Sequence, residues 1–530
     1  MAHFPTLTET VAALRRGETT SEALTSAALD RIDALNEHLG AFVHVARDAA
    51  LEGARAADQR LRCGGLLGDS RAPASERSGG STRHGGTRPS VVPPQHHAET
   101  PALLGVPQSL KDGHDVAGMP TSWGSLTTRG EDGTVPPAEQ SDELAATLQD
   151  SGAVLLGKTQ VPEFLLNSYS ENRMHPAARN PFALHCSPGG SSGGQAAAVA
   201  AGILPAAIGS DGGGSVRIPA AACGLIGLKP SRGRVPSSDA LSNVGQLGVN
   251  GPITRTAADA ALLLDVLCHT PGHERIDRPV VAAPEPSFSR VVERALEGDA
   301  PWDQRPLRIG VSTASPFDAT YEITVSPEAR SALDEGIRLL EALGHTVEDA
   351  EIHYDPAYPE AFSRLWTTAM GQLPLNGAEH LLTGLARSFR ERALSRSAVE
   401  LADAFAVLRG IEADLIRRFS RFDMVLTPAL AMPPRPVGWF HEGFDIADPA
   451  GAEQDYMRQC QYTPWTSVVN VIGLPAITVP TTWRTPETGD YPGPVPMGIQ
   501  LVGRASGEAQ LFALAAQLDP PTTPHARLVA

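Results

Sequence analysis

Lysine is nearly missing from this chain. Of 43 Lys and Arg residues only three are lysines: Lys111, Lys158 and Lys229. An arginine bias alone is compositional, but lysine can lose its proton inside a protein and arginine cannot, so the three that remain mark places to look. Cysteine is sparse too. Cys63, Cys186, Cys223, Cys268 and Cys460 are scattered, with no C-x-x-C pair and no zinc-ligand spacing, which argues against a disulfide framework and suits a reducing compartment. Positive charge is in deficit, with 60 acidic residues giving a net charge of −17; this argues against nucleic-acid binding by bulk electrostatics and against docking on anionic lipid. No apolar run is long. The most apolar stretch, Ala196–Ile208, is too short to cross a bilayer and contains Gly202 and Pro205. The N-terminal MAHFPTLTETVAALRRGETT lacks the uninterrupted apolar core of a secretory signal. The expectation is a cytoplasmic protein with no membrane or nucleic-acid partner.

What is present is a globular composition, 42% apolar and 19% charged, which rules out a fibrous or wholly disordered chain. Residues 7–60 read as helical, with Thr19 and Glu22 in capping-box spacing ahead of Leu24, Ala28, Ile32 and Leu35 on one face. Residues 64–100 hold seven Gly, four Pro and five Ser and few large apolar side chains. They cannot bury a core and read as a flexible insertion. From Pro101 onward helices alternate with short apolar strands. A helix over Asp142–Asp150 leads through Gly152 into a strand at Ala153–Leu156. Ser326 and Pro327 start a helix with Leu333, Ile337 and Leu340 on one face and Gly344 as its stop. Leu307–Val311, Met424–Leu426, Ala476–Val479 and Met497–Val502 read as further strands, Pro271–Pro306 as a proline-rich connection, and 355–422 as a helical sub-lobe. No internal repeat is seen. The pattern implies the α/β class, an α/β/α sandwich around a largely buried sheet, with residues 1–530 taken as one domain.

The informative segment is Ser187–Pro230, SPGGSSGGQAAAVAAGILPAAIGSDGGGSVRIPAAACGLIGLKP. Two small-residue clusters, Pro188–Gly194 and Gly209–Ser215, flank an Ala-rich helix. Glycines let the backbone turn tightly and let a ligand approach main-chain N–H groups, so Asp211 to Ser215 can aim several donors at one spot, as an oxyanion hole requires. A pair of tight turns packed on a helix fits the same residues. A phosphate loop does not, because Gln195 stands where a lysine is needed, and Gly157-Lys158-Thr159 lacks the upstream glycines. Gly189 to Gly193 matches the G-x-S-x-G elbow, which would make Ser191 the nucleophile and require a later acid and histidine; His345, His353, His380 and His441 follow, none in a recognisable setting. Ser109-Leu110-Lys111 is one residue short of S-x-x-K.

Several motifs in one order are more specific than any of these. Gly105-Val-Pro-Gln-Ser-Leu-Lys-Asp112, Gly157-Lys-Thr159, Asn180-Pro181, Pro188 to Gly194, Gly209 to Pro219, Gly224 to Pro230, Gly473 to Pro480 and Pro496 to Gly503 together resemble the amidase signature family. The resemblance covers nearly the whole chain except 64–100 and is weak through about 275–420. It implies a single α/β domain with a central mixed sheet and a Ser–cis-Ser–Lys triad, in which Ser215 is the nucleophile, Ser191 the cis-serine and Lys111 the lysine. It also implies an oxyanion hole from the N–H groups of Gly212, Gly213, Gly214 and Ser215. Ser192 is expected to hydrogen-bond within its turn, and Gly212 stands where relatives often carry a larger residue such as Thr.

The residues suit that chemistry. A serine hydroxyl needs a base, and a lysine serves only if burial lowers its pKa. Lys111 ends the apolar run Leu103–Leu110, as a lysine on an interior strand would. Asp112 favours the charged lysine unless strand alternation turns it away. Arg217 is expected to pair with Asp211, Cys223 to be a small core residue, and Lys158 and Lys229 to anchor loops or packing. Pocket walls are expected among Met119–Trp123, Leu165–Tyr169, Trp366, Trp439–Phe440 and Tyr462–Trp465. The expected partner is a small-molecule amide, with no cofactor and no metal, and homodimerisation is left open. Four functions compete: a free-standing amide hydrolase, the amidase subunit of a tRNA-dependent amidotransferase, a serine hydrolase with a histidine triad and, last because all three triad positions are filled, a non-catalytic binding module.

Overall fold

Short apolar runs and well-capped helices set the architecture. The computed structural model describes residues 5–68, 101–235, 244–268, 286–300, 305–487, 489 and 491–518. The helices begin at side chains that satisfy their first N–H groups. Thr6 opens Leu7–Arg16 with a capping box, Thr20 caps Ser21–Leu39, Asp142 caps Glu143–Asp150, and Ser326 caps Pro327–Ala342 with proline in its first turn.

The strands fall into two sheets. β1 (Phe42–Val45), β2 (Pro107–Lys111) and β3 (Val154–Thr159) form a three-stranded sheet in the order β1-β3-β2, with β2 and β3 parallel. The large sheet uses β4 (Ala206–Asp211), β5 (Ile226–Lys229), β6 (Val249–Thr254), β7 (Arg308–Val311), β8 (Thr346–Asp349), β9 (Met424–Pro428), β10 (Ala476–Arg484) and β11 (Val495–Val502). Its order is β4-β6-β5-β10-β11-β9-β7-β8, antiparallel from β4 to β9 and parallel at the β9-β7-β8 edge. The expected α/β architecture around a central mixed sheet is therefore present, with the smaller sheet beside it. Every residue of β11 is buried, as expected of a strand covered on both faces. Ile477, Val479, Ile499 and Leu501 pack with helices Ala257–Cys268, Phe288–Leu296 and Glu508–Gln517 in one apolar cluster. Helices Tyr358–Gly371, Gly384–Ser395 and Ala398–Phe419 fill the 355–422 region and build a second cluster with residues of Ala452–Tyr462.

Four sequence expectations differ in detail. The N-cap of Ser21–Leu39 is Thr20, one residue after the Thr19 of the expected capping box. The helical stretch 7–60 is broken by β1, whose four residues FVHV pair with β3. Residues 64–68 continue the helix Arg47–Gly68, and 69–100 lie outside the described residues. The proline-rich connection contains the helix Phe288–Leu296, whose N-cap is Ser287. Among the described residues no helix is long and apolar enough to cross a membrane.

The two sheets meet at the segment that matters. Gln195, on the buried helix Gly193–Ala200, accepts from Ser109 Oγ at 2.7 Å and donates to the carbonyls of Ser109 (2.9 Å) and Ile208 (3.0 Å). One side chain thus ties β2, which ends in Lys111, to β4, which runs into Gly212–Ser215.

Candidate active site

Lys111 is the last residue of a strand buried along its whole length, and its side chain has no exposed surface. Its Nζ lies 2.9 Å from Ser191 Oγ, 2.8 Å from Ser210 Oγ and 3.4 Å from the Ser210 carbonyl. Burial pushes the ammonium pKa down to about 7, against the opposing pull of the Asp211 carboxylate. Asp112 does not face it. That carboxylate turns the other way and accepts from the Ser122 N–H and Ser122 Oγ, so strand alternation separates the two neighbours.

Ser191 follows a cis peptide bond, Gly190–Ser191, the geometry the resemblance implied. The turn requires glycine at 190, because a β-carbon there would lie 2.3 Å from the Tyr169 carbonyl oxygen. Ser215 sits in the loop after β4. Gly214 has φ 132°, and a β-carbon on it would meet Thr466 Oγ1 at 2.5 Å. The loop is held from beneath. Asp211 accepts from Arg217 Nε (3.0 Å) and Nη2 (2.9 Å) and from Asn470 Nδ2 (2.9 Å), and Arg217 also reaches Gln500 Oε1 at 2.6 Å. Burial alone would raise the Asp211 pKa; the Arg217 guanidinium overrides it and holds the group at about 2. Thr466 Oγ1 donates to the Gly213 carbonyl at 2.6 Å.

The expected oxyanion donors need one correction. The Gly214 N–H donates to Asp211 Oδ1 at 2.8 Å, so the carboxylate that braces the loop occupies it. No partner for the N–H groups of Gly212, Gly213 and Ser215 is found among the described residues. Ser192 also departs from expectation: its Oγ is buried and has no partner among the described residues.

Ser191, Ser210, Gly212 and Ser215 line one cavity of about 420 Å³. Lys111 lies behind the hydroxyls, out of the cavity wall. Of the anticipated wall residues, Trp123, Leu165, Leu166 and Trp366 line it, joined by Phe164, Leu365 and Leu373. Tyr169, Phe440, Tyr462 and Trp465 are core residues instead; Tyr169 stacks on Phe440 at 4.7 Å and donates to Asp455 Oδ2 at 2.6 Å. No Arg, Lys, Asp or Glu lines the cavity among the described residues. Nor do His345, His353, His380 or His441. The histidine that does is His114, whose Nδ1 lies 2.8 Å from Asp142 Oδ2 and which makes no hydrogen bond to either serine. Nothing in the sequence sets His114 beside Asp142. Nor does it place Asn470, Thr466 and Gln500 at the site, whereas Ser210 stands inside a motif.

The remaining marked residues are structural. Lys158 Nζ donates to the carbonyls of His114 (2.5 Å) and Pro120 (3.2 Å) and to Thr121 Oγ1 (2.8 Å), fastening the loop after β2. Lys229 Nζ donates to the Pro230 carbonyl at 2.8 Å. Cys223 is buried, and burial pushes its thiol well up. Among the described residues no group of three or more His, Cys, Asp or Glu is placed to hold a metal ion.

A family model described as Amidase matches residues 93–512. The chain is 35% identical over 517 residues to AmiB2 of Mycobacterium tuberculosis, a protein named for the amidases, with 96% of this chain and 94% of that one covered. It is 32% identical over 550 residues to a glutamyl-tRNA(Gln) amidotransferase subunit of Chromohalobacter salexigens, with 99% and 98% covered. The solved structure of a 6-aminohexanoate cyclic dimer hydrolase matches over 100% of both chains, with a TM-score of 0.77 at 25% identity.

Proposed function

The chain belongs to the amidase family, enzymes that hydrolyse carbon–nitrogen bonds, and from that premise we propose that it cleaves uncharged linear carboxamides through an acyl-enzyme on Ser215. The observation that carries this reading is the fully buried Lys111 amine 2.9 Å from Ser191 Oγ, with Ser191 and Ser215 on the same cavity wall. Near its pKa of about 7 the amine is neutral in a large share of molecules. A neutral amine has two N–H donors and one lone pair. The Ser210 carbonyl can only accept and takes one N–H bond; the Ser191 and Ser210 hydroxyls share the other N–H and the lone pair, and the relay runs in the arrangement that turns the lone pair to the Ser191 proton.

Ser215 Oγ attacks the amide carbon as its proton passes to Ser191 Oγ and the Ser191 proton passes to Lys111 Nζ. Negative charge builds on the carbonyl oxygen, facing the N–H groups of Gly212, Gly213 and Ser215. The proton then returns along the relay to the leaving nitrogen, the C–N bond breaks, and amine or ammonia departs. Water attacks the ester by the same route and releases the acid. The test is a panel of aryl and alkyl carboxamides read by ammonia or amine release. Turnover that disappears in Ser215→Ala is expected, and an enzyme with no amide turnover would end this reading.

The amidotransferase relative supports a second reading, in which the same residues release ammonia from glutamine for a partner. The cavity speaks against it. Free glutamine carries both a carboxylate and an ammonium, and no Arg, Lys, Asp or Glu lines the cavity among the described residues. Ammonia release from glutamine only with partner subunits and charged tRNA would favour this second reading.

A further inference from the structure

One indole covers the loop that carries the oxyanion donors. Trp366 stands on helix Tyr358–Gly371 and lines the cavity with Gly212, Ser191 and Ser215. A β-carbon added to Gly212 would lie 3.2 Å from Trp366 Cζ3 and 3.4 Å from Cη2, and one on Gly213 would lie 3.7 Å from both. The ring therefore rests directly over these two glycines, and even a methyl group at 212 would press on it. The absence of a side chain at Gly212 leaves room for this ring.

The ring is held in place. Phe362 stacks on Trp366 with centroids 5.7 Å apart and planes at 20°, and Tyr358 stacks on Phe362 at 5.5 Å and 6°. The Tyr358 hydroxyl shares a hydrogen bond with Ser467 Oγ at 2.9 Å, next to Thr466, which holds the Gly213 carbonyl. Three rings spaced four residues apart on one helix thus tie the indole to the support of the oxyanion loop. Another part of the wall is equally fixed: Trp123, Phe164 and Leu165 have φ of 52°, 50° and 61°, and Phe164 N donates to the Trp123 carbonyl at 2.8 Å. Bulky residues seldom adopt that backbone, so their surroundings must impose it.

We propose that Trp366, given room by Gly212, is the specificity-determining residue of this cavity: its indole face stacks on a flat, uncharged group attached to the scissile carbonyl and selects aryl carboxamides over aliphatic ones. The proposal rests on the hydrolase reading with Ser215 as nucleophile. It is tested by kcat/KM for benzamide, hexanamide and pivalamide in the wild type, Trp366→Leu, Trp366→Phe and Gly212→Ala, with fluorophosphonate labelling of Ser215 alongside. Removing the stack in Trp366→Leu should cut the benzamide-to-hexanamide ratio by about 2–10-fold, as expected for one aromatic pair, with the loss carried by KM rather than kcat. Trp366→Phe should keep most of the preference, and Gly212→Ala, which displaces the ring, should lower it. If Trp366→Leu does not fold, the other two variants decide. Equal losses on all three amides, or an unchanged ratio, would overturn the proposal while labelled Ser215 and wild-type turnover left the hydrolase reading standing. A wild type with neither label nor turnover would bring down both.

Discussion

Lys111 on β2 and Lys229 on β5 are two lysines with the same burial and different surroundings. Both side chains are essentially without exposed surface, and both are pushed down to about 7, first by burial. The Asp211 carboxylate opposes the shift in both, and at Lys229 the nearby Arg217 charge deepens it. What separates them is what each amine touches. Lys111 Nζ meets two hydroxyls of residues that line the cavity, while Lys229 Nζ meets the Pro230 carbonyl, which has no proton to give. A lowered pKa therefore records burial and does not by itself mark a base. The relay begins where such an amine faces a hydroxyl that leads to the substrate.

That comparison breaks most visibly by exchanging the two lysines' fates. Lys111→Met should lower amide turnover by roughly 10²–10⁴-fold, the usual worth of a general base, whereas Lys229→Met should keep measurable turnover in the same assay. In the wild type, kcat/KM should rise with pH through about 7 and level off above it, because the working form of Lys111 is the neutral one; a profile that falls across that range would contradict the base assignment.

Asp211 joins the two regions, so Asp211→Asn strikes both. It leaves the Arg217 guanidinium, which has no exposed surface, without its partner carboxylate, and a cost of about 3–5 kcal/mol in denaturant unfolding is expected. Any residual activity should show its acid limb at lower pH, since the carboxylate that raised the Lys111 pKa is gone.

A further effect, on stability, is common to both lysines. Between about pH 7 and the unfolded lysine value near 10.4, the unfolded state holds a proton that the folded state has released, so stability rises with pH by up to about 1.4 kcal/mol per unit for such a group. Lys229→Met should reduce the measured slope of unfolding free energy against pH between about 7 and 9 by one group's share, with that of Lys111 remaining. The smallest change is expected from Ser210→Ala, which removes one hydrogen bond to Lys111; a loss of about 2–10-fold in kcat would match an ordinary hydrogen bond.

Much of this was legible where neighbours in sequence are neighbours in space. β7, β9, β10 and β11 lie where short apolar runs placed strands, and Ser326 caps its helix as its position before Pro327 suggested. Asp211 and Arg217 pair across six residues of one loop and helix start. Illegible were contacts between distant segments: Asn470 on Asp211, Thr466 on Gly213 and Gln195 across the two sheets. β1 was hidden because four residues between two helices are too few to interrupt a helical period. The aromatic residues divided for a related reason. Trp366 and Trp123 reach the cavity while Tyr462 and Trp465 fill the core, and only tertiary packing decides which.

The central claim is that the Lys111 amine, acting through Ser191, activates Ser215. A fluorophosphonate label followed by peptide mapping reads this directly when the wild type, Lys111→Met and Lys229→Met are treated side by side. The account predicts an adduct on Ser215 in the wild type and in Lys229→Met, and its loss in Lys111→Met. An adduct on Ser191, or undiminished labelling of Ser215 without Lys111, would contradict it.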